Sequence, residues 1–275
     1  MTAIPNSTLQ HSLFPPIYNI IREQPMTGQW AILSGIEGNL AAYEAVLSDL
    51  RWSTVDSLYI LGDVVGLNGE NEAVVQRLRS PRDHELSPQV CTGWWEEQCF
   101  NLHGMGLQMD VPELLDAYGA DAVKTLWESL SRDAVQWLRS LDFGFHELDC
   151  LLIHGSTVSY SDELTPKTPA IQLCDRLIRA DADHLFCGRS GQAFECWIED
   201  GTLQSSVTTL DEPATVHQQT MRPRRVVGVG TVGRRPKQAT YVLYSPTSNQ
   251  VEFKTVSYGA GQGFQAARTQ RSKTS

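Results

Sequence analysis

The chain has 275 residues, is 41% hydrophobic and 20% charged, and carries a formal net charge of -10 with a pI near 5.1. That length accommodates one sizeable core with extensions, and the acidic balance speaks against a nucleic-acid backbone or an anionic membrane surface as the main partner. No stretch approaches the ~20 apolar residues needed to cross a bilayer. The start, interrupted by Pro5, Asn6, His11, Pro15 and Pro16, lacks the pattern of a secretory leader. Six scattered cysteines without a Cys-x-x-Cys pair read as reduced core thiols, and the expected location is cytoplasmic.

Residues 1–27 form an N-terminal extension. Around Pro15-Pro16, Leu13, Phe14, Ile17, Tyr18, Ile20 and Ile21 make a short amphipathic segment that either docks on the domain or recruits a partner. Two apolar runs follow, Trp30 to Leu33 and Leu58 to Leu61. Between them Leu40, Tyr43, Val46, Leu47 and Leu50 recur at helical spacing, which predicts a βαβ unit. In such a unit the loops at the carboxyl ends of the strands share one crevice, so Gly35, Glu37, Asn39 and Asp63 are expected close together.

Farther along, Glu72 to Leu78 reads as a helix and Gln89 to Cys91 as a strand. Val111 to Arg139 is helical in period, with Ser131 as an N-cap. Phe145 to Leu148 and Cys150 to Ile153 read as strands, the second leading into His154. Ala170 to Ala180 reads as a helix and Asp183 to Cys187 as a strand. Phe194 to Ile198 and Leu203 to Val207 are expected to pair about an Asp200-Gly201 hairpin, with Asp211 to Pro223 as a loop. Arg225 to Gly230, Thr240 to Tyr244 and Val251 to Val256 are expected to form a second strand group. The domain then spans 28–258, and 259–275 has the composition of a disordered tail.

The loops carry a family resemblance. Gly35-Ile36-Glu37-Gly38-Asn39 and Gly62-Asp63-Val64-Val65-Gly66 resemble the first two motifs of the calcineurin-like metallophosphoesterases, small bacterial branch. That family reads Asp-x-His-Gly-Asn and Gly-Asp-x-x-Gly. Here the first Asp is glycine and the first His is glutamate. Thr92-Gly93-Trp94-Trp95-Glu96 falls where the family has Arg-Gly-Asn-His-Asp, with His103 as a rival position. His154-Gly155-Ser156 keeps the fourth motif. Gly188-Arg189-Ser190-Gly191 replaces Gly-His-Thr-His, and the turn at Gly228 to Pro236 is similar to the family's last conserved turn.

The resemblance covers roughly residues 29–258. It implies an α/β fold, a four-layer metallophosphoesterase-like sandwich of two mixed β-sheets flanked by helices. Of the ligands that hold a two-metal centre, it leaves Asp63 and His154, with Glu37 as a substitute. The candidate site is therefore Glu37, Asn39, Asp63, His154 and Arg189.

Without metal, Glu37 and Asp63 would form a costly like-charge pair. The expectation is that Arg189 supplies the compensating cation while Trp94 and Trp95 fill the vacated volume. The implied function is a degenerate phosphoesterase serving as a protein-interaction or ligand-sensing module, with no cofactor and a protein partner or phosphorylated ligand. The alternative is a phosphoesterase with one divalent metal, such as manganese, on Asp63, His154 and Glu37, and Arg189 clamping phosphate. Arg222, Arg224, Arg225, Arg234, Arg235 and Lys237 read either as a patch for an acidic or phosphorylated partner or as solvated loop edges.

Overall fold

The computed structural model describes residues 28–106, 111–199, 201–207 and 215–259, with side chains described outside 201–221. The amphipathic N-terminal segment and the tail beyond 259 lie outside the described residues.

The chain runs β1 (Gln29–Leu33), α1 (Leu40–Leu50), β2 (Val55–Leu61), α2 (Asn71–Arg79), β3 (Gln89–Cys91), α3 (Trp94–Leu102), α4 (Pro112–Glu128) and α5 (Arg132–Arg139). It continues with β4 (Gly144–Glu147), β5 (Cys150–Ile153), α6 (Ala170–Arg179), β6 (His184–Cys187) and β7 (Ala193–Ile198). The last elements are β8 (Gly201–Val207), β9 (Thr215–Met221), β10 (Arg224–Val229), β11 (Gln238–Ser245) and β12 (Gln250–Ser257). Two mixed five-stranded sheets, ordered β12-β11-β1-β2-β3 and β4-β5-β6-β10-β7, lie face to face.

Alternation along the strands builds four layers. In β1, Trp30 and Ile32 enter the core between the sheets, while Ala31 and Leu33 face the helices. Tyr59 and Leu61 of β2 repeat the inward set, and Leu58 and Ile60 the outward one. On the second sheet Leu152 and Phe186 point inward, and Leu151, Ile153 and Leu185 point out toward α6. Helices α1 to α5 cover the first sheet and α6 the second. The period-two pattern thus gives each strand two apolar faces, as sheets buried on both sides require.

The βαβ unit forms as expected. Asn39 caps α1, its side-chain oxygen accepting from the Ala42 amide at 3.1 Å. Ser131 caps α5 in the same way, accepting from the Ala134 amide at 3.1 Å. Helix α4 is broken at Gly119, whose φ of 80° interrupts the helical path.

Several expectations at the C-terminal half are corrected. Strand β7 pairs antiparallel with β10, while β8 pairs with β9, so Asp200-Gly201 does not close a hairpin between β7 and β8. The stretch expected as a loop from Asp211 to Pro223 contains strand β9. Strand β10 joins the second sheet between β6 and β7, whereas the β11-β12 hairpin extends the first sheet beside β1. Hydrophobic period finds strands, but it carries no information on which edge each one meets. Five cysteines are buried and Cys196 is partly exposed, all as free thiols.

Candidate functional site at the seam between the sheets

Strands β1, β2 and β3 run parallel, as do β5, β6 and β10. Their carboxyl ends therefore lie along one rim, and the six loops that leave them deliver Glu37, Asp63, Trp94, His154, Arg189 and Arg234. This is the crevice where open α/β sheets place ligands.

The loops are tied together by backbone bonds. The Glu37 amide donates to the Asp63 carbonyl at 2.9 Å, and the Gly38 amide to that of Val64 at 2.9 Å. Glu37 and Asp63 both adopt φ of 52°, the left-handed region that side-chain-bearing residues seldom occupy. Gly93 lies so close to the Asp63 loop that an added Cβ would sit 2.3 Å from the Asp63 amide nitrogen, so only glycine fits.

Glu96 holds the second loop in shape. Fully buried, it accepts four backbone N–H groups: Asp63 and Gly93 on Oε2 at 2.8 Å each, and Val64 and Val65 on Oε1 at 2.9 and 3.0 Å. Burial and the Asp63 charge push its carboxyl up, against the pull of those amides. With all four acceptor positions taken, no place remains for a proton, and Glu96 is an anion.

Asp63 is also fully buried. Its Oδ1 accepts from the Trp95 amide at 2.9 Å and stands 3.3 Å from His154 Nε2. Its Oδ2 accepts from Arg234 Nη2 at 3.0 Å. The Nε of the same guanidinium donates to Glu37 Oε1, and its Nη1 donates to the Arg189 carbonyl at 3.1 Å. One arginine thus bridges both carboxylates. Burial pushes the Glu37 carboxyl up to about 7; Arg234 pulls it down and Asp63 pushes it further up, while hydrogen bonds from Arg234 and Trp95 stabilise the anion.

His154 lies 2.8 Å from the Leu61 carbonyl through Nδ1, so that nitrogen carries the proton. Burial holds the ring below its ordinary pKa although Asp63 favours the cation. In the neutral ring Nε2 is bare and has no hydrogen-bond partner.

The expected cation is present but comes from a different loop. The pairing assigned to Arg189 is made by Arg234, which the turn after β10 carries across the seam. Arg189 instead lays its guanidinium over the Trp94 ring, 4.5 Å from its centroid. Its loop is spent on position: the Arg189 amide donates to the His154 carbonyl at 2.8 Å.

Trp94 and Trp95 are buried as expected, edge to face at 4.9 Å, and begin helix α3. Asn39 is committed to capping α1 and to donating to the Gly233 carbonyl and the Tyr258 hydroxyl, so it presents nothing to the crevice. His103 stacks on Trp127 at 4.3 Å and takes no part in the site.

The basic run does not make one patch. Arg224 is buried on the Ala182 carbonyl, Arg225 is buried against Glu195 between Trp197 and Tyr244, and Arg222 meets Asp181 and Asp183.

Asp63 stands beside the bare His154 nitrogen, but Asp63 and Glu37 are both bonded to the Arg234 guanidinium. Among the described residues no group of three His, Cys, Asp or Glu side chains is placed to hold a metal ion. The residues as arranged do not fit one.

The architecture is the metallophosphoesterase fold. No protein-family model matches the sequence, and no curated protein matches it. Among solved structures, a metallophosphoesterase from Sphaerobacter thermophilus superposes with a TM-score of 0.60 at 20% identity, covering 85% of this chain and 89% of that one. A cold-active protein-tyrosine phosphatase of a psychrophilic Shewanella matches at TM-score 0.48 and 12% identity, over 88% of this chain and 80% of that one. An archaeal phosphodiesterase matches at 0.40 and 12%, over 83% and 99%. The first likeness is one of fold, and the two looser ones say nothing about activity. Among the described residues no helix is long and apolar enough to cross a membrane.

Proposed function

We propose that this chain is a degenerate phosphoesterase, without two-metal hydrolysis, that serves as a recognition module for a protein partner or a small ligand. The observation that carries the reading is the Arg234 bridge between Glu37 and Asp63. A two-metal phosphoesterase needs carboxylates free to bridge its ions and lower the pKa of a bound water. Here those oxygens are satisfied by a fixed guanidinium that cannot lose its proton and cannot activate water. Trp94 and Trp95 fill the adjoining volume with side chains whose only polar group is a non-ionising N–H.

A second reading has one observation in its favour. The bare Nε2 of His154, 3.3 Å from Asp63, is the arrangement of two donors directed at one ion. In that reading Asp63, His154 and Glu37 take a single divalent metal once Arg234 swings away, and the chain is an active phosphoesterase.

Metal analysis of the purified protein, with turnover of an aryl phosphate in added manganese, separates the two. The expected result is substoichiometric metal and no turnover. Stoichiometric metal with activity abolished in Asp63→Asn and His154→Ala overturns the proposal. Arg234→Ala supplies the converse: manganese is expected to raise the melting temperature of that variant and leave the wild type unmoved.

A further inference from the structure

Arg234 has two carboxylates, but the second arginine of the crevice has none. Among the described residues Arg189 makes no ion pair; its charged group rests on the face of Trp94, and its buried Nε finds no hydrogen-bond acceptor. The buried Nε is closed to an incoming ligand, so the terminal Nη nitrogens, which donate no hydrogen bond among the described residues, are the pair left to receive a planar carboxylate in two parallel bonds.

The surroundings set the shape of the acceptor. Tyr118, which is half exposed, stands 6.1 Å from the Trp94 ring and 5.0 Å from that of Trp95. The guanidinium therefore sits beside an aromatic wall that can cover an aliphatic stem. The broken turn of α4 at Gly119, directly after Tyr118, leaves open space where a Cβ would stand.

Charge decides between anions. Glu37 and Asp63 share the single bonded cation Arg234, Glu96 lies behind Asp63 on the backbone amides of its loop, and Glu113 accepts the Trp94 indole N–H at 3.1 Å. A dianionic phosphate would meet several carboxylates for one free arginine, whereas a monoanion meets a local partner and little added repulsion.

We propose that Arg189, Trp94 and Tyr118 form a receptor for a carboxylate on an aliphatic stem, such as a glutamate side chain of a partner segment or a free dicarboxylic acid. The inference rests on the reading of the crevice as a recognition site.

The test uses the full chain and follows the Arg189 terminal guanidinium N–H resonance by NMR, because an N–H that gains an acceptor moves downfield. Probes are N-acetylglutamate N-methylamide, glutarate and inorganic phosphate at matched ionic strength. Saturable movement of that resonance with either carboxylate is expected, and the tighter of the two names the source. Arg189→Gln should weaken binding, read from the Trp94 indole resonance, by about tenfold or more, as expected for loss of a charge-assisted bidentate pair. Arg189→Lys, which keeps charge but loses the fork, should weaken it several-fold, and the distant Arg222→Gln should leave it unchanged. Tighter binding of phosphate, unaltered affinity in Arg189→Gln, or no saturation with any probe overturns the proposal. Any of these can occur in a metal-free, inactive protein, so failure here is distinct from failure of the recognition-module reading, which metal content and turnover report.

Discussion

Two arginine-carboxylate clusters in this molecule use the same chemistry in opposite proportion. In the crevice one guanidinium, Arg234, serves two carboxylates, with the Glu96 anion behind them. At the edge of α1 and α2, three guanidiniums serve two: Arg77 and Arg82 hold Glu44, and Arg77 and Arg51 hold Glu85. Burial disfavours the ionised form in both places. In the edge cluster the hydrogen bonds from Arg77, the Arg82 amide and Arg51 outweigh it and hold the Glu85 carboxyl at about 2. In the crevice burial wins over the single shared arginine, and Glu37 is pushed up to about 7. The balance between the desolvation of a carboxylate and the number of donors that it keeps, more than the presence of a salt bridge, decides how firmly it is ionised.

The comparison breaks most sharply at its cations. Arg234→Ala leaves the fully buried Asp63 without a cation, and breaking a buried pair from one side costs about 3–5 kcal/mol. Arg77→Ala leaves Arg51 on Glu85 and Arg82 on Glu44, so each carboxylate keeps a cation and the cost should be smaller, about 1.5–3 kcal/mol for the lost charged hydrogen bonds. Urea denaturation of both variants measures the difference. Equal losses would mean that the crevice pair is no more demanding than its counterpart at the edge.

Glu96→Gln comes next in size. The substitution turns one acceptor oxygen into an N–H₂ group facing two backbone donors, and each buried donor left unmet costs about 1–3 kcal/mol. A loss of about 2–4 kcal/mol in the same denaturation series is expected, together with faster amide exchange at Asp63 to Val65. Unchanged exchange there would remove Glu96 from its role in holding the loop.

The sequence exposes some of this and conceals the rest for identifiable reasons. The βαβ unit and the convergence of Glu37 and Asp63 follow from hydrophobic period and from the geometry of parallel strands. That a guanidinium stands between them follows from charge, because two buried carboxylates need a cation. Which arginine supplies it does not follow, because Arg189 and Arg234 both leave carboxyl ends of parallel strands and only the path of the turn after Gly233 separates them. The neighbour order of β6, β10 and β7, on which that path depends, is set by packing and not by local period. Glu96 left a readable signal: a glutamate three residues after Gly93 reaches back to the Gly93 amide at 2.8 Å, the helix-start pattern of a capping box.

The smallest predicted effect is a pH dependence with opposite signs in the two clusters. Glu85 has a folded pKa of about 2 against an ordinary 4.5. The unfolded chain therefore takes up a proton first as pH falls, so the contribution of Glu85 is complete above about 4.5 and disappears as pH drops toward 2. Glu37 is raised from 4.5 to about 7. Here the folded chain keeps a proton that the unfolded chain has released, so the contribution is present below about 4.5 and is lost as pH rises through 7. Melting temperatures from pH 2 to 8 test both signs. Glu85→Gln should flatten the acid limb alone, and Glu37→Gln should flatten the limb between about 4.5 and 7 alone. If Glu37→Gln leaves that upper limb as steep as in the wild type, Glu37 is fully ionised beside Arg234 near neutral pH, and one shared guanidinium is enough to hold both carboxylates charged.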